Sequence, residues 1–211
     1  MASLLHVDRD GGSLAAALIA ESGLAPEVWL RRYLDAYLVP LLHAFYAYGL
    51  VFMPHGENVI LVLDEGGAVE RAVFKDIAEE IAVMEPSVPL PAGVERIRVD
   101  VSEDVRLLSI FTDVFDCFLR YLNAVLASRG VLGEDAFWRT VAECVEAYQG
   151  STPELAKQFG RFDVFAPEFA LSCLNRLQLR NNQQMVDLAD PSSALQLVGT
   201  LENPIARVRR G

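Results

Sequence analysis

The segment VFMPHGENVILVL, residues 51 to 63, sets His55, Glu57 and Asn58 around Gly56 between two apolar runs, and Lys75 and Asp76 close the next apolar run. Carboxylate and amide oxygens are hard ligands suited to Mg²⁺ carrying the phosphates of a nucleotide. An imidazole can donate a hydrogen bond to a phosphate oxygen, and a lysine ammonium adds positive charge beside it. His55, Asn58, Lys75 and Asp76 therefore form a candidate nucleotide and metal constellation. The same residues also fit a purely structural role, in which Pro54, His55 and Gly56 make a tight connection, Asn58 satisfies a loop and Asp76 caps a helix.

For these residues to meet, the chain must fold back between them. NVILVLD and VERAVF are rich in β-branched and aliphatic residues and are separated by EGG, which predicts a β-hairpin turning near Glu65 to Gly67. A turn centred there makes cross-strand residue numbers sum to about 133 or 134, so Asn58 faces Lys75 or Asp76. Strand alternation sends Lys75 and Asp76 to opposite faces unless the strand ends between them.

Helices are predicted around the hairpin. SLAAALIAES carries Ser13 as N-cap and Gly23 as its stop, and a long apolar-periodic helix runs from Pro26 to Gly49 with a kink or break expected at Pro40, near Val39. KDIAEEIAVM predicts a helix capped by Asp76. PSVPLPAGVERIRVDV predicts a loop leading into an extended piece. From Ser102 the periodicity is helical through Gly130, then through EDAFWRTVAECVEAYQG, TPELAKQFGRF and PEFALSCLNRLQLRNNQQ, and the tail ENPIARVRRG reads as irregular. The fold class is thus α+β, mainly α-helical, with a small antiparallel hairpin or sheet near residues 51–76.

Composition limits the partners. With 211 residues, 52% of them hydrophobic, the chain can bury a substantial core. A formal charge of −11 opposes nucleic acid and anionic membrane surfaces, although a local cationic or metal-bearing pocket can still hold a nucleotide. Cys117, Cys144 and Cys173 stand apart, without C-x-x-C spacing, and read as buried reduced thiols. No apolar run reaches the length of a membrane span and no signal-peptide pattern opens the chain, so a cytoplasmic location is expected.

MPHGENVILVLDEGGAVERAVFKDIAEE, followed by FALSCLNRLQLRNNQQMVDL and LENPIA, resembles the C-terminal part of the IucA/IucC family of NRPS-independent siderophore synthetases. The resemblance extends over nearly the whole chain. It implies a palm-like helical domain, residues 1–211, belonging to a longer synthetase, with helix plus HGEN hairpin in residues 1–100 and helices in 101–211. It further implies ATP-dependent ligation. A carboxylate of citrate, succinate or a similar acid attacks the α-phosphate of ATP, and an amine or hydroxylamine then takes the acyl group and releases AMP.

By motif, His55 contacts ATP phosphate or the developing adenylate, with Lys75 nearby, while Asn58 and Asp76 hold Mg²⁺. Many members carry an acid two residues before the histidine; Met53 stands there, and Glu57 is the replacement candidate ligand. Arg176 and Arg180 share a predicted helix face with Asn181 beside them, a pattern suited either to a substrate carboxylate or to the chain's own acids. Arg96 and Arg98 alternate on an extended piece and face a site or solvent. His43 reads as a half-buried packing residue. The missing N-terminal domain of the same protein and a second copy of the chain are the expected macromolecular partners. Two other readings stay open: a kinase-like phosphotransferase, which would release ADP, and a non-catalytic siderophore-binding or FhuF-like module.

Overall fold

The computed structural model describes residues 1–77, 80–172 and 197–209. It is mainly helical, with three small antiparallel sheets, as the sequence class required. Helix α1, Leu14–Ser22, begins where the Ser13 hydroxyl accepts the Ala16 N–H and ends at left-handed Gly23. Helix α2, Pro26–Tyr48, is the spine of the molecule: Trp29, Leu30, Tyr33, Leu34, Tyr37, Leu38 and Leu42 are all fully buried along it.

The break expected at Pro40 does not occur. Its ring lies on the exposed face, and α2 stays continuous through it. A proline inside a helix costs about 3 kcal/mol, and burying a single large apolar side chain contributes about 1.5–3 kcal/mol, so the buried stripe outweighs the loss.

Strand β1, Leu50–Phe52, leaves α2 through Gly49, whose positive φ closes the helix. Strands β2, Val59–Leu63, and β3, Val69–Phe74, form the predicted hairpin, and their register pairs Val59 with Phe74 and Ile60 with Val73. The turn is built by Asp64, whose carboxylate accepts the N–H groups of Gly66 and Ala68. Trp29 of α2 donates its indole N–H to Gly67 and so anchors the turn to the spine. At the other end Tyr37 stacks on Phe74, and Phe52 packs on the same ring.

Three expectations are corrected. Residues 81–83 are not helical: they form β4, Ile81–Val83, paired antiparallel with β1, so Asp76 is no helix cap. An open strand edge at β1 offers hydrogen bonds and a partner face that outweigh the helix propensity of KDIAEEIAVM. PEFALS likewise forms strand β5, Glu168–Ser172, paired with β6, Leu197–Glu202. The tail is ordered as β6 and a final helix, Pro204–Arg209. Fully buried Asn203 organises it by donating to the carbonyls of Val164 and Ala166 and accepting the Ile205 N–H.

Between these pieces lie α3, Glu103–Arg106, α4, Leu108–Ile110, a π-helical stretch, Phe111–Leu119, and α5, Arg120–Ser128. Helix α6, Glu134–Ser151, packs along α2, and α7, Ala156–Arg161, follows it. Cys144 is buried and Cys117 half-buried; burial pushes their thiols up to about 12 and about 11, as expected of inert thiols. Cys173 lies outside the described residues. His43 is half-buried between Tyr48 and Tyr148, a packing residue. Arg98 donates to the carbonyls of Glu85, Pro86 and Val88 and so ties down the preceding loop.

Candidate functional site

The polar turn is held from below. Tyr37, fully buried on α2, donates its hydroxyl to the Pro54 carbonyl at 2.9 Å, and burial keeps that phenol protonated far above its usual range. Asn58 N–H closes on the His55 carbonyl at 3.0 Å, completing the turn. Gly56 is required by close approach: a Cβ there would lie 2.7 Å from the backbone of Ala2, whose N–H donates to the Gly56 carbonyl.

On this platform the side chains of His55, Asn58 and Glu80 converge. The buried Asn58 amide donates to the Met53 carbonyl and to the Glu80 carboxylate, and lies 3.2 Å from His55 Nε2. Glu80 is 3.5 Å from the same imidazole nitrogen. Sequence reasoning missed Glu80 because it read this stretch as a helix. In the structure the Met53 N–H donates to the Glu80 carbonyl, continuing the pairing of β1 with β4. Glu80 thereby brings a carboxylate beside His55 and Asn58.

The far end of the hairpin comes back as expected: the Lys75 N–H donates to the Asn58 carbonyl at 2.9 Å. Strand β3 ends at Phe74, and Asp76 adopts a left-handed φ of 58°, a conformation that few non-glycine residues take. Alternation therefore no longer separates the two side chains, and Lys75 Nζ meets Asp76 Oδ2 at 2.5 Å. Glu57 is exposed on the turn. Arg176, Arg180 and Asn181 lie outside the described residues.

Among the described residues, no three His, Cys, Asp or Glu side chains gather as a metal-binding group. The Glu80 carboxylate is a hard oxygen donor of the kind that suits a phosphate-bound Mg²⁺, whose remaining positions are filled by phosphate and water, whereas the Asn58 amide turns its nitrogen to Glu80 and His55. Asp76 is engaged by Lys75, an exposed contact that a competing cation can replace.

A second acid borders the site. Asp113, on the π-helical stretch, is near enough for His55 to act on its charge, yet burial dominates and pushes its carboxyl up to about 6. No hydrogen-bond donor among the described residues reaches that carboxylate. Asp113, Glu80 and Met53 line one cleft of about 330 Å³ whose walls are otherwise mostly aliphatic. π-Helical turns recur at functional sites.

Residues 27–187 match the family described as ferric iron reductase FhuF-like transporter, and the chain belongs to that family. Among curated proteins it is 50% identical over 210 residues to putrebactin synthase of Shewanella sp. (strain MR-4), covering 100% of this chain and 33% of that one. Among solved structures, aerobactin synthetase IucC from Klebsiella pneumoniae superposes with a TM-score of 0.79 at 25% identity, over 100% of this chain and 36% of that chain. ATP-bound aerobactin synthetase IucA, also from Klebsiella pneumoniae, shares the fold at 20% identity with a TM-score of 0.66, over 96% of this chain and 36% of that one. The resemblance to IucA/IucC synthetases is thus borne out. The chain spans about a third of the length of the curated relatives it matches. No helix among the described residues is long and apolar enough to cross a membrane.

Proposed function

We propose that this chain is the C-terminal palm of an ATP-dependent siderophore synthetase and supplies part of its nucleotide site. The carrying observation is the convergence of His55, Asn58 and Glu80 at the open end of the hairpin, in a chain whose relatives bear siderophore-synthase names. In this reading a polycarboxylic acid of the citrate or succinate type is adenylated and then joined to an amine or hydroxylamine. His55 donates to a phosphate oxygen, and Lys75 adds positive charge at the base of the hairpin. Asn58 and Asp76 hold Mg²⁺, with Glu80 as the further carboxylate in preference to Glu57, which faces solvent. The bound ion neutralises charge on the phosphates. Arg176, Arg180 and Asn181 remain candidates for the substrate carboxylate.

The rest of the site belongs to the longer polypeptide, so the 211-residue chain by itself does not turn over. The outer face of the hairpin supports this: Ile60 and Val73 pair across the strands and are both exposed. Contiguous exposed apolar side chains of this kind are the usual mark of a covered interface, with the remaining polypeptide or with a second copy. A reductase of the sort the family description names would need a cysteine-held iron–sulfur centre, and the three isolated cysteines of this sequence have no such spacing.

The test is the nucleotide product of the intact polypeptide that contains this chain, given ATP, a polycarboxylic acid and a panel of amines. AMP with pyrophosphate, dependent on the acid and reduced about 100-fold in Asn58→Ala or Glu80→Ala, supports the reading; that loss is typical of removing one preorganised electrostatic contact. ADP would point to a phosphotransferase and sink it.

A further inference from the structure

We propose that residues 1–5 are a brace for the turn that carries His55 and Asn58, and that Ala2 and Leu4 are positioning residues for the nucleotide site. The inference rests on the ligase reading for its effect on turnover; the hold on the turn stands on geometry alone.

Three consecutive carbonyls of the turn are held, two of them from outside it. Tyr37 donates to Pro54, the Asn58 N–H closes on His55, and the Ala2 N–H takes Gly56 at 3.0 Å. Further on, the Met1 nitrogen donates to the Val59 carbonyl at 2.6 Å, a bond that the main-chain N–H of a longer polypeptide makes equally well. A held carbonyl fixes the plane of its whole peptide unit, so three in succession leave His55 and Gly56 no free main-chain rotation. The Cα–Cβ bond of His55 is thereby aimed, and its imidazole is set beside Asn58 and Glu80.

The brace has its own footing. Ala2–Leu5 form a 3₁₀ turn closed by the Leu4 N–H on the Met1 carbonyl, and Leu4 is buried with 3% of its surface exposed. The Tyr33 hydroxyl of α2 donates to the Met1 sulfur, and past the 3₁₀ turn Val7 bridges Ser13, the cap of α1. The segment is thus tied to α1, to α2 and to the polar turn at once. Its contact with the polar turn is main chain on main chain: at Gly56 a Cβ would lie 2.7 Å from Ala2 Cα and 2.8 Å from the Ala2 nitrogen. Its hydrogen bonds reach no side chain of the site, so its contribution is to placement. Placement fixed in advance sets the rate in a site that works by positioning and electrostatics.

Leu4→Ala deletes the footing and leaves every group of the site in place. Leu4→Met, which keeps the apolar bulk, is the conservative partner. Ile205→Ala, an equal deletion at a fully buried position on the final helix, controls for general loss of stability. Leu4→Val, a smaller cut, serves if Leu4→Ala does not fold. In the 211-residue protein, deuterium exchange of the Asn58 amide, measured against the Leu38 amide of α2, is expected to be about tenfold faster in Leu4→Ala and unchanged in Leu4→Met and Ile205→Ala. In the intact polypeptide that contains this chain, at a temperature where every variant is folded, Leu4→Ala should lower the kcat of acid-dependent AMP release about tenfold with the amine KM unmoved. Leu4→Met should restore it, and Ile205→Ala should leave kcat at the wild-type value.

Asn58 exchange no faster in Leu4→Ala than in Ile205→Ala would overturn the proposal, as would a kcat unmoved by Leu4→Ala or lowered equally by Ile205→Ala. Faster Asn58 exchange in Leu4→Ala, with no AMP released by the wild type, keeps the brace and removes the ligase.

Discussion

Tyr37→Phe probes how the turn carrying His55 and Asn58 is supported. The substitution deletes one oxygen atom and leaves the aromatic packing against Tyr33, Phe74 and Phe118 intact. What disappears is the 2.9 Å hydrogen bond to the Pro54 carbonyl, buried at both ends. An acceptor stranded without water costs about 1–3 kcal/mol, so the expected loss of stability is about 2 kcal/mol. For a chain of this size each kcal/mol moves the Tm by about 2–4 °C, giving a drop of roughly 4–8 °C.

Tyr33→Phe is the matched control. Tyr33 is equally buried on the same helix, but its hydroxyl donates to the Met1 sulfur, a weak acceptor, and should cost under about 1 kcal/mol. Urea unfolding at constant m-value measures both. In Tyr37→Phe, the Asn58 and Met53 amides should also exchange with deuterium faster than in the control, because they lie next to the freed carbonyl. If Tyr37→Phe is no less stable than Tyr33→Phe and the turn's exchange is unchanged, the hydroxyl does not support the site and the argument fails.

Asp113 makes stability depend on pH in an unusual direction. Its carboxyl is raised to about 6 by burial, with His55 opposing that shift, whereas in the unfolded chain an aspartate titrates near 3.9. The folded state therefore holds the proton more tightly, and this contribution is complete below pH about 4 and lost as pH rises through about 6. Asp113→Asn should gain up to about 3 kcal/mol on wild type above pH 6, with the advantage vanishing below pH 4 in denaturation series; a constant offset would show that the shift is not local. Gly49→Ala should destabilise by several kcal/mol in the same assay, because the added Cβ would fall 2.4 Å from Glu85 Cβ at a φ of +58°. A loss under about 1 kcal/mol would mean that the loop carrying Glu85 yields freely.

Much of the local structure was legible because its causes are local. Ser13 and Gly23 bound α1 by capping, Pro26 and Gly49 bound α2, and Asp64 with Gly67 fixes the hairpin turn. Once that turn is set, counting leaves Asn58 opposite Lys75 or Asp76, and the structure takes the first of these. The Pro-His-Gly-Glu-Asn set likewise marked a polar turn through residue types alone.

The sequence was misread where distant partners decide. KDIAEEIAVM has helix-forming composition, and only the open edge of β1, some 30 positions earlier, turns Ile81–Val83 into a strand. That one pairing moves Glu80 from a presumed helix surface to the side of His55 and Asn58. In the same way β5 and β6 pair across a long chain separation, and Asn203 finds carbonyls about 40 residues away.

By itself, then, the sequence determined the class of the fold, the hairpin, and the polar turn at its open end, since turns, caps and periodicity act over a few residues. Only the tertiary structure decided that Glu80 joins His55 and Asn58, that Asp76 turns to Lys75, and that Asp113 lines an aliphatic cleft. These depend on which surfaces bury one another, and burial is a property of the whole chain.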